Sequence, residues 1–329
     1  MTIEIPKEKW TGSVRLVTLG AGRAEGGTRA RTLTVGGQAA LPFLDFEGAI
    51  PHPPGLALEV RDRKPDDWSP LLYQAWGEAM DDPGDWARAA EAAGADLIYL
   101  TLSVTDPAGG RNTPERGRAA LRKVLQATGL PVAVVGPGQA ELDNELLLAV
   151  AEEGKGERLL LGACEDKNYR TVVAAAMANG HLVLSKTPMD VNLSKQLVIL
   201  IHDMGMPLDR MIVDPTTGAL GYGIEYGYSV MERLRLAALQ GDAMTQQPML
   251  VTPGEEAWKV KESRTGEGVP ASWGDWQRRA LDWEAVTAAT LIHSGGDIIV
   301  LRHPETLRRL RAMVQDLGAA QPLATTGQG

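Results

Sequence analysis

The sequence predicts an α/β protein, a (β/α)8 TIM barrel with an N-terminal β-hairpin extension, and three features of the chain carry that expectation. Eight short apolar runs recur along it: Leu56 to Val60, Leu97 to Leu102, Val132 to Val135, Leu159 to Leu161, Leu182 to Leu184, Met211 to Val213, Met249 to Val251 and Ile298 to Leu301. They lack polar alternation, as expected of parallel strands covered on both faces. Helical segments separate them, and small-residue helix ends lead directly into strands, as in Ala93-Gly94-Ala95-Asp96-Leu97 and Ser294-Gly295-Gly296-Asp297-Ile298. That recurrence favours closed symmetry. An open doubly wound sheet would carry a glycine-rich phosphate loop after its first strand, where Arg61-Asp62-Arg63 stands instead.

Taken in order, Val14 to Leu19 and Arg31 to Val35 read as two strands joined by a turn through Gly22, Gly26 and Gly27. Pro51-His52-Pro53-Pro54 then forms an extended linker, because consecutive prolines cannot enter a sheet ladder. The expected organisation is a hairpin extension and linker over 1–54, the barrel over 55–320 and a frayed tail over 321–329. Helix punctuation is explicit: Asp85 to Ala93 stops at Gly94, Thr113-Pro114-Glu115 opens a helix that stops before Gly129, and Asn192 to Met204 stops at Gly205.

The 329 residues, 44% hydrophobic and 23% charged, suffice for a single large core. A net charge of -9 with dispersed basic residues argues against nucleic acid as a partner. The lone cysteine, Cys164, excludes an intrachain disulfide, a four-thiolate zinc site and a four-cysteine iron–sulfur cluster built from this chain alone. Met1 to Trp10 lacks the apolar run of a signal peptide and no stretch approaches the length of a membrane span, so the expected location is cytoplasmic, with no membrane partner.

In a (β/α)8 barrel the residues after each strand meet at one mouth. Here they are Asp62, Thr105, Asp106, Gly136, Pro137, Cys164, Glu165, Lys186, Thr187, Asp214 to Gly218, Thr252, Arg302 and His303. The segment Asp214-Pro215-Thr216-Thr217-Gly218-Ala219-Leu220-Gly221-Tyr222-Gly223 concentrates hydroxyls and glycines before a long helix, which suits close approach of an amide- or phosphate-bearing ligand; a capped tight turn is the plainer reading. Tyr222, Tyr226 and Tyr228 follow it, either as packing or, for Tyr222, as a ligand contact. The polar stretch from Pro253 to Asp275, with Trp258, Lys259, Lys261, Arg264 and Trp273, reads as a lid or docking surface. Of the histidines only His303 reaches the mouth, so a histidine metal cluster is not expected. Asp62, Asp106, Glu165 and Asp214 could act as acid or base, yet strand-end carboxylates equally serve as caps and anchors. Cys164, after a buried strand, reads as a structural thiol rather than a nucleophile.

Several segments carry a resemblance. They are Pro6-Lys7-Glu8-Lys9-Trp10-Thr11-Gly12, Asn168-Tyr169 through Ala174-Ala175-Ala176 to Gly180-His181, the Asp214 to Gly223 loop, Glu256-Ala257-Trp258-Lys259 and Leu301-Arg302-His303-Pro304. On these the chain resembles, over nearly its whole length, the small (delta) subunit of the corrinoid iron–sulfur protein of the carbon-monoxide dehydrogenase/acetyl-CoA synthase system. The resemblance implies a non-catalytic barrel subunit in a heterodimer with a large subunit that bears the iron–sulfur cluster, the pair clasping a corrinoid (cobalamin). It further implies that a methyl group arrives from methyltetrahydrofolate through a methyltransferase, rides on cobalt and passes to acetyl-CoA synthase in the reductive acetyl-CoA (Wood–Ljungdahl) pathway. The chain lacks the Asp-x-His-x-x-Gly cobalamin motif, so cobalt ligation by its own histidines is not expected. Candidate corrinoid contacts are Thr216, Thr217 and Gly218, with Asp214, Tyr222, Asn168, Lys186 and Arg302; neither a catalytic residue nor a metal ligand is assigned. An alternative is an autonomous pterin-dependent methyltransferase of the same barrel class, using Asp106, Asn168 and Asp214. A structural subunit without a small ligand is a third.

Overall fold

Two buried clusters, one inside a cylinder of strands and one between that cylinder and its helices, organise the chain. The computed structural model describes residues 6–319; the tail expected over 321–329 lies outside the described residues. The short strands β1 (Val17–Leu19) and β2 (Leu33–Val35) pair antiparallel. The barrel strands follow: β3 (Gly55–Arg61), β4 (Leu97–Thr101), β5 (Val132–Val135), β6 (Leu160–Cys164), β7 (Leu182–Lys186), β8 (Met211–Asp214), β9 (Leu250–Val251) and β10 (Ile298–Leu301). They form one eight-stranded sheet, paired in parallel in the order β8-β7-β6-β5-β4-β3-β10-β9. The two ends of that order meet where Val213 bridges Met249 and donates its N–H to Pro248 O at 3.0 Å. This closes the cylinder through a narrow seam.

Strand side chains alternate between the two clusters, as the period of two requires. Ala57, Leu97, Tyr99, Ala133, Leu160, Leu182, Ile212, Leu250 and Ile298 point inward. Leu58, Ile98, Val134, Leu161, Val183, Met211 and Ile299 point outward beneath the helices. The hairpin belongs to the interior: Val17, Leu19 and Val35 pack with the strand-start residues, and Gly55 lies against Leu33, a Cβ there meeting the leucine at 2.8 Å. The extension therefore packs over the amino-terminal end of the cylinder and, among the described residues, leaves the carboxyl end open as its mouth. Leu19 is fully buried, and Leu19→Ala is expected to lower stability by about 2–5 kcal/mol, read as a shift of the denaturant midpoint at constant slope.

Helix ends fall where their punctuation places them. Pro83–Ala92 is followed by Gly94 at φ +98°, Pro114–Ala127 opens on the Thr113 cap, and Val191–Asp203 is followed by Gly205 at φ +96°. The polar stretch after β9, read from the sequence as a lid or docking surface, is ordered into the short helices Pro253–Ala257 and Lys261–Arg264 and a 3-10 turn, Ala271–Trp273. Its tryptophans explain why: Trp258 is buried and stacks on His303, while Trp273 lies under the Arg279 guanidinium at 5.3 Å. Arg279 also donates to the carbonyls of Glu262, Thr265 and Trp273, so one side chain ties the segment to the helix Trp276–His293.

Candidate functional site

The inward alternation that fills the barrel with apolar groups delivers charged ones at its carboxyl end. On β3 Ala57 faces inward and Leu58 and Val60 outward, so Glu59 and Arg61 project into the mouth. Glu59 accepts from Arg302 Nε at 2.5 Å and Arg61 Nε at 3.0 Å. Burial pushes the Glu59 carboxyl up, but the two guanidiniums outweigh it and hold the group at about 2. The Arg302 guanidinium lies over the Trp68 ring at 4.6 Å, and Trp76 Nε1 donates to Arg302 O at 2.8 Å. Buried charge here is compensated by geometry rather than by water.

A second pair stands across the barrel, where Lys186 Nζ lies 3.7 Å from Asp214 Oδ2. Asp214 holds the lysine in its charged form. Burial lifts the Asp214 carboxyl above its ordinary value, against the pull of Lys186 and of the Thr216 N–H. Between the two pairs opens a cavity of about 510 Å³ whose lining includes Glu59, Arg61, Tyr99, Asp143, Glu165 and Lys186. Asp143 reaches it from the helix Ala140–Glu153, accepting Gly138 N–H through Oδ1 at 3.1 Å. Burial raises its carboxyl to about 6.

An acid whose folded-state pKa is raised contributes stability below its unfolded value, near 3.8, and loses it as pH rises through about 6. Between pH 4 and pH 7 the native chain should therefore lose about 2 kcal/mol that Asp143→Asn does not lose, seen as a flatter dependence of melting temperature on pH in the variant. Equal slopes would place the Asp143 carboxyl in an unperturbed environment.

The candidate corrinoid contacts fall into three settings. Lys186 and Asp214 stand together at the mouth, and only Lys186 is part of the cavity lining. Thr216, Thr217 and Gly218 fold inward. Thr216 adopts φ +66° and is held by donating N–H to Asp214 Oδ1 at 2.9 Å and its hydroxyl to Thr187 O at 2.6 Å. Thr217 Oγ1 is buried and accepts Thr252 N–H at 2.9 Å, and Gly218 is packed so closely that a Cβ would meet Gly223 O at 2.3 Å. Tyr222, in contrast, is exposed on the rim, its hydroxyl 3.2 Å from Glu262. Asn168 is buried within its own turn, accepting Glu165 N–H and donating to Ala163 O, and Arg302 lies beneath the surface on Glu59.

Other rim groups are committed to the fold. Asp62 accepts from Ser103 N, Ser103 Oγ and Asn112 Nδ2, and Asp106 accepts from Ala108 N and Gly110 N. His303 is buried against Trp258, and burial lowers its imidazole to about 4, so it is neutral at physiological pH. Cys164 is fully buried, which pushes its thiol far up and leaves it unreactive. Among the described residues, no group of three or more His, Cys, Asp or Glu side chains could hold a metal ion.

Around the rim after β7 and β8, several large apolar side chains are exposed. Tyr222 is 54% and Tyr226 65% accessible, and Met189 and Leu193 are exposed as well. The Met189 sulfur lies 3.9 Å from a Cβ built on Gly227, which joins the loop after β7 to the helix after β8. Trp283 backs this sector, donating Nε1–H to Leu220 O at 3.2 Å.

Comparison with known proteins places this architecture. The family model described as CO dehydrogenase/acetyl-CoA synthase delta subunit matches residues 17–315. The acetyl-CoA decarbonylase/synthase complex subunit delta of Archaeoglobus fulgidus is 37% identical over 324 residues, 95% of this chain and 70% of that protein. Its counterpart from Methanopyrus kandleri is 38% identical over 296 residues, 89% of this chain and 72% of that protein. Among solved structures, the dihydropteroate synthase of Xanthomonas albilineans superposes with a TM-score of 0.56 at 14% identity, covering 85% of this chain and 99% of that one. This second likeness is one of fold, a TIM barrel. The sequence match over almost the full length goes further: the chain belongs to the family of CO dehydrogenase/acetyl-CoA synthase delta subunits.

Proposed function

We propose that this chain is the small subunit of a heterodimeric corrinoid iron–sulfur protein and that its rim helps to hold a corrinoid against the large subunit. The observation that carries the reading is the exposed sector formed by Tyr222, Tyr226, Met189 and Leu193 at the mouth of the barrel. Large apolar side chains left exposed around a barrel mouth mark a surface suited to being covered. Tyrosines with an apolar face and a polar tip suit a broad macrocycle rimmed with amides.

The residues present fit such a group. Tyr222 and Tyr226 offer ring faces, and Lys186 and Glu165 offer a donor and an acceptor just inside the rim. Thr216, Thr217, Gly218 and Asp214 shape the loop that presents Tyr222; Asn168 and Arg302 brace the neighbouring strand ends. The corrinoid would supply the chemistry, its cobalt carrying the methyl group. This chain would orient the macrocycle and shield one face from water, without acting as acid, base or metal ligand. The iron–sulfur cluster would lie in the large subunit. Methyl groups would come from methyltetrahydrofolate through a methyltransferase and leave to acetyl-CoA synthase. No helix among the described residues is long and apolar enough to cross a membrane, and we assign the assembly to the cytoplasm. In this scheme the hairpin extension closes the base and the barrel that follows it is the carrier unit.

Co-expression with a candidate large subunit tests the reading. The visible spectrum of added cobalamin should be retained by the purified pair and not by this chain alone. Methyl transfer from methyltetrahydrofolate by this chain alone would instead make it a pterin-dependent methyltransferase. Failure of the pair to retain any corrinoid would leave a structural role.

A further inference from the structure

Tyr222 is more than half exposed, so its own packing does not fix where its ring stands. An exposed side chain that settles against a ligand loses freedom on binding, and a site that orders it beforehand binds more tightly. The loop that carries Tyr222 is ordered in this way. Thr216 adopts φ +66°, a conformation that a β-branched residue rarely takes, and Thr217 anchors on the Thr252 N–H. Gly221 and Gly223, at φ +75° and +97°, turn the chain back so that the N–H groups of Tyr222 and Ile224 both donate to Ala219 O, at 2.9 and 3.2 Å.

One helix grips the outer side of this turn. On Trp276–His293, Arg279, Trp283 and Thr287 stand four residues apart and share a face. Trp283 Nε1–H donates to Leu220 O at 3.2 Å, and its ring edge lies 3.9 Å from a Cβ built on Gly221. Thr287, fully buried, gives its hydroxyl proton to Trp283 O at 2.7 Å, which leaves Oγ1 to accept Leu220 N–H at 3.4 Å. Both backbone polar groups of the residue two positions before Tyr222 are thus held by that helix. Arg279 holds the far end of the ring: its Nε–H donates to Glu262 O at 2.7 Å, and the Glu262 carboxylate accepts the Tyr222 hydroxyl at 3.2 Å.

We propose that Trp283 and Thr287 are positioning residues for the corrinoid, acting through Leu220 to fix the ring of Tyr222. The inference rests on the rim reading above and adds to it two side chains that do not need to touch the macrocycle. Without them the turn would keep its sequence and lose the orientation in which it presents Tyr222.

The test reads cobalamin retention by the pair with the large subunit, and hydrogen exchange of the amides in 219–224 in the isolated chain. Thr287→Val keeps shape and volume and removes the acceptor. It should weaken retention about fivefold and speed exchange at Leu220 by about the same factor, the worth of one hydrogen bond. Thr287→Ser, which keeps the hydroxyl, should match the native chain in both. Trp283→Phe should weaken retention about as much as Thr287→Val. In a Tyr222→Ala background, with Tyr226 left in place, neither Thr287→Val nor Trp283→Phe should change retention by more than about twofold, because their effect passes through the missing ring. A role confined to stability would persist there. Equal losses in both backgrounds overturn the proposal, as do native retention by both variants, unchanged exchange in Thr287→Val, or Thr287→Ser behaving as Thr287→Val. Those outcomes leave the rim reading standing; a native pair that retains no cobalamin removes that reading, and this inference with it.

Discussion

Arg302→Met is expected to destabilise the protein by about 3–5 kcal/mol, the usual cost of removing one partner from a buried ion pair. The side chains of Arg302 and Glu59 are 6% and 4% exposed and joined at 2.5 Å. Arg61, which also reaches Glu59, softens the loss but stands 23% exposed and cannot replace the lost contact. The variant also forfeits the guanidinium stacking on Trp68. Chemical denaturation measures the effect, and Glu59→Gln combined with Arg302→Met should recover part of it, because no uncompensated charge is left buried. The same pair gives acid sensitivity a definite sign. Glu59 is held at about 2 against an ordinary value of 4.5, so its contribution, about 3 kcal/mol, is present above pH 4.5 and is lost as pH falls towards 2. A chain whose stability is flat between pH 5 and pH 2 after correction for other carboxylates would contradict the assignment.

The second large effect is on assembly. Tyr222→Ala combined with Tyr226→Ala should reduce corrinoid retention by the pair by about 100-fold or more, since exposed aromatic anchors at a covered interface contribute about 2 kcal/mol each when truncated. Their exposure means that the isolated chain should lose nothing: both side chains face solvent, and surface changes of this kind lie within about 0.5 kcal/mol. Equilibrium dialysis of cobalamin against the pair, with a melting curve of the isolated variant, separates the two. Retention within twofold of the native pair would remove these tyrosines from the interface.

The barrel was legible because its signal is repetitive. The runs Val132 to Val135 and Ile298 to Leu301 coincide with β5 and β10, and the remaining runs differ from their strands by at most three residues at an end. Glycine marked helix ends because only a residue without Cβ adopts the positive φ those ends need, as at Gly94 and Gly205. The docking of the hairpin into the barrel was not legible. Val17, Leu19 and Val35 look like any strand residues until the open cylinder beneath them is known.

The site was legible in outline only. Lys186 and Asp214 were found because they end apolar runs. Glu59 is masked because it sits inside one, although two charges at alternate positions, Glu59 and Arg61, are the local sign of an inward-facing polar layer. Tyr99 was hidden for the same reason. Asp143 had no such sign: it lies on a helix and returns to the mouth through Gly136 and Gly138, a contact that only the fold creates. Thr216 and Thr217 were recognised as unusual, and the structure shows their hydroxyls binding Thr187 O and Thr252 N–H within the protein. Hydroxyl-rich loops satisfy their own backbone as readily as a ligand, and sequence alone cannot distinguish the two uses.

Locating cobalt by anomalous diffraction in crystals of this chain with its large subunit and bound cobalamin tests the carrier assignment most directly. The peak should lie over the carboxyl-terminal opening of the barrel, on the side of Tyr222 and Tyr226. A peak beside the hairpin at the opposite end, or enclosed wholly within the large subunit, would contradict it.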